Sequence, residues 1–374
     1  MSDTEASARA DNRDSTTVKE APSLLLKGFL MGSADIIPGV SGGTMAFILG
    51  IYERLLKAIN SVDGVFFKSL LRFDLKAALG QFHWLFLGVL FAGITSAAVF
   101  FTRVVPLQIY MFTHPEIVFG LFFGLIVGSI FILIKALERR RWIEIVFVLV
   151  GLAIGLWVVT LVPTETPNHP AFVFLTGVIA ISAMILPGIS GSFLLLIMRK
   201  YDFVLTQISK MTSGEFIDGL IGILPFTLGS LTGIALFSRF LSWLLARFHS
   251  QTIAVLIGFL IGSLYVIWPF QHRDFVEQVR ETERVEQTSP IVSELRNNPM
   301  NEHLPEFRRL VPSMSDGDDV EIQTVKKKLI KSDPYLPGIW NTDESDEPNV
   351  WGGITGMLIG GVLVIGLERL REVT

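Results

Sequence analysis

Long apolar stretches alternate with short polar ones along most of this chain. Six uninterrupted runs, at about 84–102, 116–137, 142–162, 219–240, 251–270 and 351–367, carry almost no charge. At ~1.5 Å rise per residue, each is long enough to cross a ~30 Å hydrocarbon core as a helix. Two further runs, 23–51 and 171–198, are equally apolar but are broken near the middle by proline and glycine. The pattern predicts an all-α polytopic membrane protein with six full transmembrane helices plus two broken segments. Hydrophobic residues make up 50% of the chain and charged residues 18%, which removes the soluble globular classes.

The two breaks are copies of one motif. Ser33-Ala34-Asp35-Ile36-Ile37-Pro38-Gly39-Val40-Ser41-Gly42 returns as Ser182-Ala183-Met184-Ile185-Leu186-Pro187-Gly188-Ile189-Ser190-Gly191, with seven of ten positions identical. Pro38 and Pro187 each remove a backbone donor and clash with the preceding turn, and the adjacent glycines weaken the helix further. A half-helix over 24–37 reaches only ~21 Å, short of a full crossing. A re-entrant hairpin is therefore expected, and a kinked spanning helix is the alternative. With hairpins and a cytoplasmic N-terminus, the short loops place 16 Lys and Arg inside against 4 outside. With two spanning helices the best split is 12 against 8, so the positive-inside rule favours hairpins. Three full spans per repeat is an odd number, which makes the second repeat inverted relative to the first.

The expected organisation is a disordered cytoplasmic tail over 1–22, a first membrane repeat over 23–162, and a second over 171–270 plus 350–370. Between them, 271–349 holds 17 acidic and 10 basic residues and reads as an acidic extracytoplasmic insertion, partly ordered at best. Glycines four apart, such as Gly120-Gly124-Gly128 and Gly258-Gly262, suit close helix packing in lipid. With no cysteine and six scattered histidines, the chain is expected to carry no metal and no cofactor. No nucleic-acid partner is expected.

After each break a new helix begins, and its first N–H groups and positive dipole end are free to meet an anion. In the first copy these positions are Pro38, Gly39, Ser41, Gly42, Gly43 and Thr44; in the second, Pro187, Gly188, Ser190, Gly191 and Ser192. Glycine lets a ligand approach the backbone and the hydroxyls add neutral donors, which makes a cradle suited to phosphate. The alternative is that Ser41 and Ser190 are ordinary helix caps. Asp35 is the acidic residue at membrane depth in the first repeat; proton or sodium coupling is the functional reading, and pairing with a basic neighbour the bland one. Arg54, Arg199 and Lys200 follow the broken segments and could draw a headgroup in. Tyr52, Glu53 and Tyr201 support them, with interfacial anchoring as the alternative.

The stretch Met31-Gly32-x-Ala34-Asp35-x-x-Pro38-Gly39-Val40-Ser41-Gly42-Gly43-Thr44, followed by Gly50-Ile51-Tyr52-Glu53-Arg54-Leu55 and later by Leu186-Pro187-Gly188-Ile189-Ser190-Gly191-Ser192, resembles a membrane family long catalogued as a domain of unknown function and now associated with polyprenyl-phosphate translocation (PopT type). The similarity covers 23–270 plus the last span. It implies a flippase in the cytoplasmic membrane. Its partners would be membrane lipids and a polyprenyl phosphate carrier, undecaprenyl phosphate, returned from the outer to the inner leaflet for peptidoglycan and other envelope polymers. Two departures stand out: Met198-Arg199-Lys200-Tyr201 lacks the glycine expected before the tyrosine, and 271–349 is unusually long. Two rival functions remain. One is a transporter or channel for a small soluble anion. The other is an enzyme like the polyprenyl-diphosphate phosphatases, but glycine follows each motif serine here where those enzymes carry arginine.

Overall fold

The computed structural model describes residues 16–36, 41–62, 66, 68, 72, 74, 82–105, 107–137, 142–161, 166–297, 304–312, 319–337 and 348–373. Pro38, Gly39 and most of the 1–22 tail lie outside them.

After a short 3₁₀ turn, α1 (Ala21–Asp35) and α2 (Gly42–Ile48) form the first broken segment, and α3 (Tyr52–Asn60) follows it. Then come α4 (Trp84–Arg103), α5 (Leu107–Thr113), α6 (Pro115–Ala136) and α7 (Trp142–Val159). The second broken segment is α8 (Pro170–Ile185) and α9 (Gly191–Ile197), followed by α10 (Tyr201–Thr212), α11 (Phe216–Arg247) and α12 (His249–Ile267). Three strands, β1 (Gln271–Glu286), β2 (Glu306–Pro312) and β3 (Asp319–Pro334), enclose α13 (Pro290–Asn297) in sequence, and α14 (Val350–Val373) ends the chain.

Among the described residues, five helices are long and apolar enough to cross a membrane: α4, Pro115–Lys135 of α6, α7, α11 and α12. The sixth expected span falls in α14, whose apolar part, Val350–Gly366, is shorter. Helix α11 runs well past the expected 219–240, with Pro225 inside it.

The chain divides into two compact units, one of Met1–Val104, Ile126–Ile267 and Leu363–Thr374, the other of Val105–Leu125 and Trp268–Val362. In the first unit, α1 packs on α4 and α8 on α11 through matching glycines. A Cβ on Gly28 would overlap the Leu90 carbonyl and one on Gly93 the Leu25 carbonyl; Gly177 and Gly229 stand in the same relation to Phe226 and Phe174. Such backbone-to-backbone contact replaces the hydrophobic drive that lipid does not supply. Among the five membrane-length helices described, α12 is the most deeply packed, with Leu256, Ile257, Leu260 and Ile267 all buried. It crosses α7 with Gly258 on the Val148 carbonyl and Gly151 on the Val255 carbonyl. In the second unit the same arrangement recurs between α6 and α14, with Gly124 on Met357 and Gly360 on Leu121.

The polar insertion is more ordered than its composition suggests. Its strands form one antiparallel sheet in the order β1-β3-β2. The β1–β3 pairing runs from Gln271↔Pro334 to Glu286↔Asp319, with register shifts at Asp274/Phe275 and Val279/Glu281. Val292 of α13, Phe307, Ile322 and Val325 are buried and make a small core of their own. That burial holds a sheet whose exposed positions are mostly polar or charged.

Candidate functional site

Leu186 precedes Pro187 and is held extended, at φ −71° and ψ 129°, which ends α8. Gly188 then turns with φ +85°, a left-handed value that glycine adopts freely. A Cβ there would lie 2.6 Å from the Phe259 carbonyl oxygen, so the turn sits directly on the α12 backbone. Ser190 is extended and starts α9. In the first copy Ser41 is likewise extended and starts α2.

The two copies meet in the first unit. The Gly188 N–H donates to Thr44 Oγ1 at 2.8 Å, a buried bond across 144 positions. Tyr52 donates its hydroxyl to the Ile185 carbonyl at 2.8 Å, and Ser41 Oγ lies 3.5 Å from the Met184 carbonyl oxygen. Gly43 is pressed against that same carbonyl, where a Cβ would come within 2.7 Å. The start of α2 therefore abuts the end of α8.

The helix starts differ in what occupies them. At α2 the Gly42 N–H donates to Asp35 Oδ1 at 2.6 Å and the Gly43 N–H to Ser41 Oγ at 3.2 Å. Asp35 thus folds back across the break to lie on the positive end of the next half-helix. A Cβ on Gly42 would fall 2.5 Å from Asp35 Oδ2, so any larger residue there pushes the carboxylate aside. At α9 no side chain caps the helix. Ser190 and Ser192 share a 2.8 Å hydrogen bond with each other at the surface. Gly191 faces Met184, the apolar counterpart of Asp35.

The three basic candidates have other surroundings. Arg54 is bound to Glu20 at 3.2 Å and to Thr16 at 2.7 Å, beside the start of α1, with its guanidinium over the Phe86 ring. Lys200 is buried and donates to the Thr166 carbonyl at 2.8 Å and to Asn168 Oδ1 at 2.7 Å, just before α8. Thr166 in turn donates to the Met198 carbonyl. Arg199 is exposed, with φ +48°. Its counterpart 149 positions earlier, Gly50, has φ +69°, so both copies use one left-handed turn and only the second fills it with a side chain. Replacing Arg199 with glycine is expected to stabilise the protein by about 1 kcal/mol, read as a higher melting temperature in detergent. Of the supporting residues, Tyr201 starts α10 and Glu53 lies 3.2 Å from His249 Nε2.

Sequence reasoning missed Asn60, which exchanges hydrogen bonds with Ser238 and Ser242 and ties α3 to α11. Ser238 and Ser242 stand one turn apart within an apolar run, and that spacing was the available signal. It also missed Phe259, the floor under Gly188, for which no local pattern exists.

Over 249 residues the chain is 35% identical to a polyprenyl-phosphate transporter of Vibrio cholerae serotype O1, covering 67% of this chain and 78% of that protein. Over 259 residues it is 34% identical to a polyprenyl-phosphate transporter of Staphylococcus aureus, covering 66% and 85% respectively. No solved structure matches it. Residues 31–285 match the VCA0040-like family, described as undecaprenyl phosphate translocase-like. That match takes in both proline–glycine breaks, and the chain belongs to the undecaprenyl phosphate translocase-like family.

Proposed function

We propose that this protein is a flippase that returns undecaprenyl phosphate from the outer to the inner leaflet of the cytoplasmic membrane for cell-envelope synthesis. The phosphate is held between the starts of α2 and α9. The observation that carries this reading is the meeting of the two breaks through the Thr44–Gly188 bond. A polyprenyl phosphate needs only its small anionic head shielded through the core, because its tail prefers lipid. Helix starts with close backbone approach and hydroxyls supply that shielding without chemistry.

The broken segments are read as re-entrant hairpins in an inverted repeat, with 271–349 on the outside. Two sets of contacts support the hairpins. Arg54, just past α2, is bound to Glu20 at the start of α1, and Lys200, just past α9, is bound to residues just before α8. Each excursion comes back to the end where it began. The recurring glycine contacts support the repeat.

Asp35 already accepts from the Gly42 N–H that an incoming phosphate would use. Two anions about 4 Å apart repel by about 4 kcal/mol at an effective dielectric of 20. Loading therefore favours taking up a proton or sodium ion on Asp35, or swinging the carboxylate away. Reconstituted protein is expected to exchange a long-chain polyprenyl phosphate between leaflets with a rate that depends on pH. Asp35→Asn keeps the shape and an acceptor oxygen but not the charge, and should flatten that dependence. An unchanged pH profile in the variant removes Asp35 from coupling. Uptake of inorganic phosphate in place of lipid exchange would make this a soluble-anion carrier, and phosphate release from the diphosphate lipid would make it an enzyme.

A further inference from the structure

The second unit holds a half-buried cation that the transport reading does not use. Arg273, the third residue of β1, lays its guanidinium over the Phe119 ring of α6, 4.3 Å from the centroid. One of its terminal nitrogens is shut off from solvent and, among the described residues, has no hydrogen-bond partner. Glu116, one turn before Phe119, and Tyr335 both lie within electrostatic reach, yet neither is bonded to Arg273 among the described residues. Burial holds the guanidinium down to about 10, below its ordinary value, against the opposing pull of Glu116 and then Tyr335, so it stays charged at neutral pH.

The surroundings are fixed in place. Trp268 Nε1 donates to the Tyr335 carbonyl at 2.8 Å, the Tyr335 N–H donates to the Phe270 carbonyl at 3.0 Å, and His272 stacks on the Tyr335 ring with centroids 4.3 Å apart. A guanidinium nitrogen shut off from water with no hydrogen-bond acceptor is costly, and no acceptor among the described residues offsets that cost. Guanidinium nitrogens match the oxygens of a phosphate in a planar fork. The apolar side of an amphiphile also finds a match, because Leu336 and, at the start of α14, Trp351 are exposed beside these elements.

We propose that Arg273, with Tyr335 and the aromatic wall of Phe119 and Trp268, binds a terminal phosphate group, as a second phosphate site separate from the two helix starts. The source is either a phosphomonoester lipid or free phosphate. Only the choice of a prenyl chain as probe rests on the transport reading.

The test is calorimetric titration of the full-length protein in detergent with farnesyl phosphate, inorganic phosphate and farnesol, comparing wild type, Arg273→Met, Glu116→Gln and Gly42→Val. In Arg273→Met one binding event for the phosphate-bearing probe should weaken by about tenfold to a hundredfold, the worth of a charged hydrogen bond. The same variant should melt no lower than wild type, since it removes an unsatisfied buried donor. Glu116→Gln removes a repelling carboxylate and should tighten binding by roughly threefold or more. Farnesyl phosphate binding well above inorganic phosphate assigns a lipid; equal binding assigns free phosphate. Unchanged binding in Arg273→Met overturns the proposal, as does weaker binding in Glu116→Gln or farnesol binding equal to farnesyl phosphate. If Gly42→Val alters no binding event while Arg273→Met loses one, the helix-start site fails and this one stands.

Discussion

Valine at position 42 is expected to stop leaflet exchange of polyprenyl phosphate while the chain still inserts into the membrane. The loss should be at least about a hundredfold in rate, equivalent to about 3 kcal/mol. The first Cβ atom alone would sit 2.5 and 2.7 Å from the two Asp35 carboxylate oxygens. Valine therefore displaces Asp35, breaks its bond to the Gly42 N–H and covers the start of α2. Valine at position 191 should act alike, since its Cβ would lie 2.6 Å from the Ala180 carbonyl oxygen and close off the start of α9. Exchange assayed in liposomes, with membrane insertion checked separately, decides the matter. Wild-type rates in both variants would remove the helix starts from the transport path.

Alanine at position 188 should act on the fold itself. Left-handed backbone costs a residue with a Cβ about 1–2 kcal/mol. Overpacking against a rigid neighbour adds about 1–3 kcal/mol, and the neighbour here is the backbone of α12, with the Phe259 carbonyl carbon 2.7 Å and the Leu260 nitrogen 3.0 Å from the new atom. The turn would have to lift off α12 and strain the Thr44 bond. Gly214 is the control: its φ is +99°, but nothing lies within 4 Å of its Cβ position. Thermal unfolding in detergent should show a drop of several degrees for Gly188→Ala and a clearly smaller one for Gly214→Ala. Equal drops would mean that the seat on α12 contributes nothing.

The breaks themselves could be read from Pro187, its counterpart Pro38 and the serines that follow, because proline and helix-capping residues act on their own neighbours. What fills the first helix start could not. Asp35 meets Gly42 from the far side of the break, and nothing in residue type distinguishes that contact from outward exposure. Lys200 shows the same limit: a basic residue after an apolar run suggests a headgroup, whereas Thr166 and Asn168, just before α8, claim its amine. Arg199 was visible as a departure from the glycine pattern, and φ values at 50 and 199 supply the reason. The sheet was missed because the two register shifts in β1 interrupt its alternation, and a dense run of charges hides the few buried positions, Ile322 and Val325 among them.

The glycine seams also bear on how the protein is made. Helix α7 belongs to the first half of the chain, but its Gly151 finds its mate, Val255, in the second; α6 waits still longer, for Met357 and Gly360 near the C-terminus. A ribosome that has delivered the first 160 residues has therefore released two membrane helices with their tightest surfaces bare. Those surfaces stay uncovered until the segments around Val255 and Met357–Gly360 have been made.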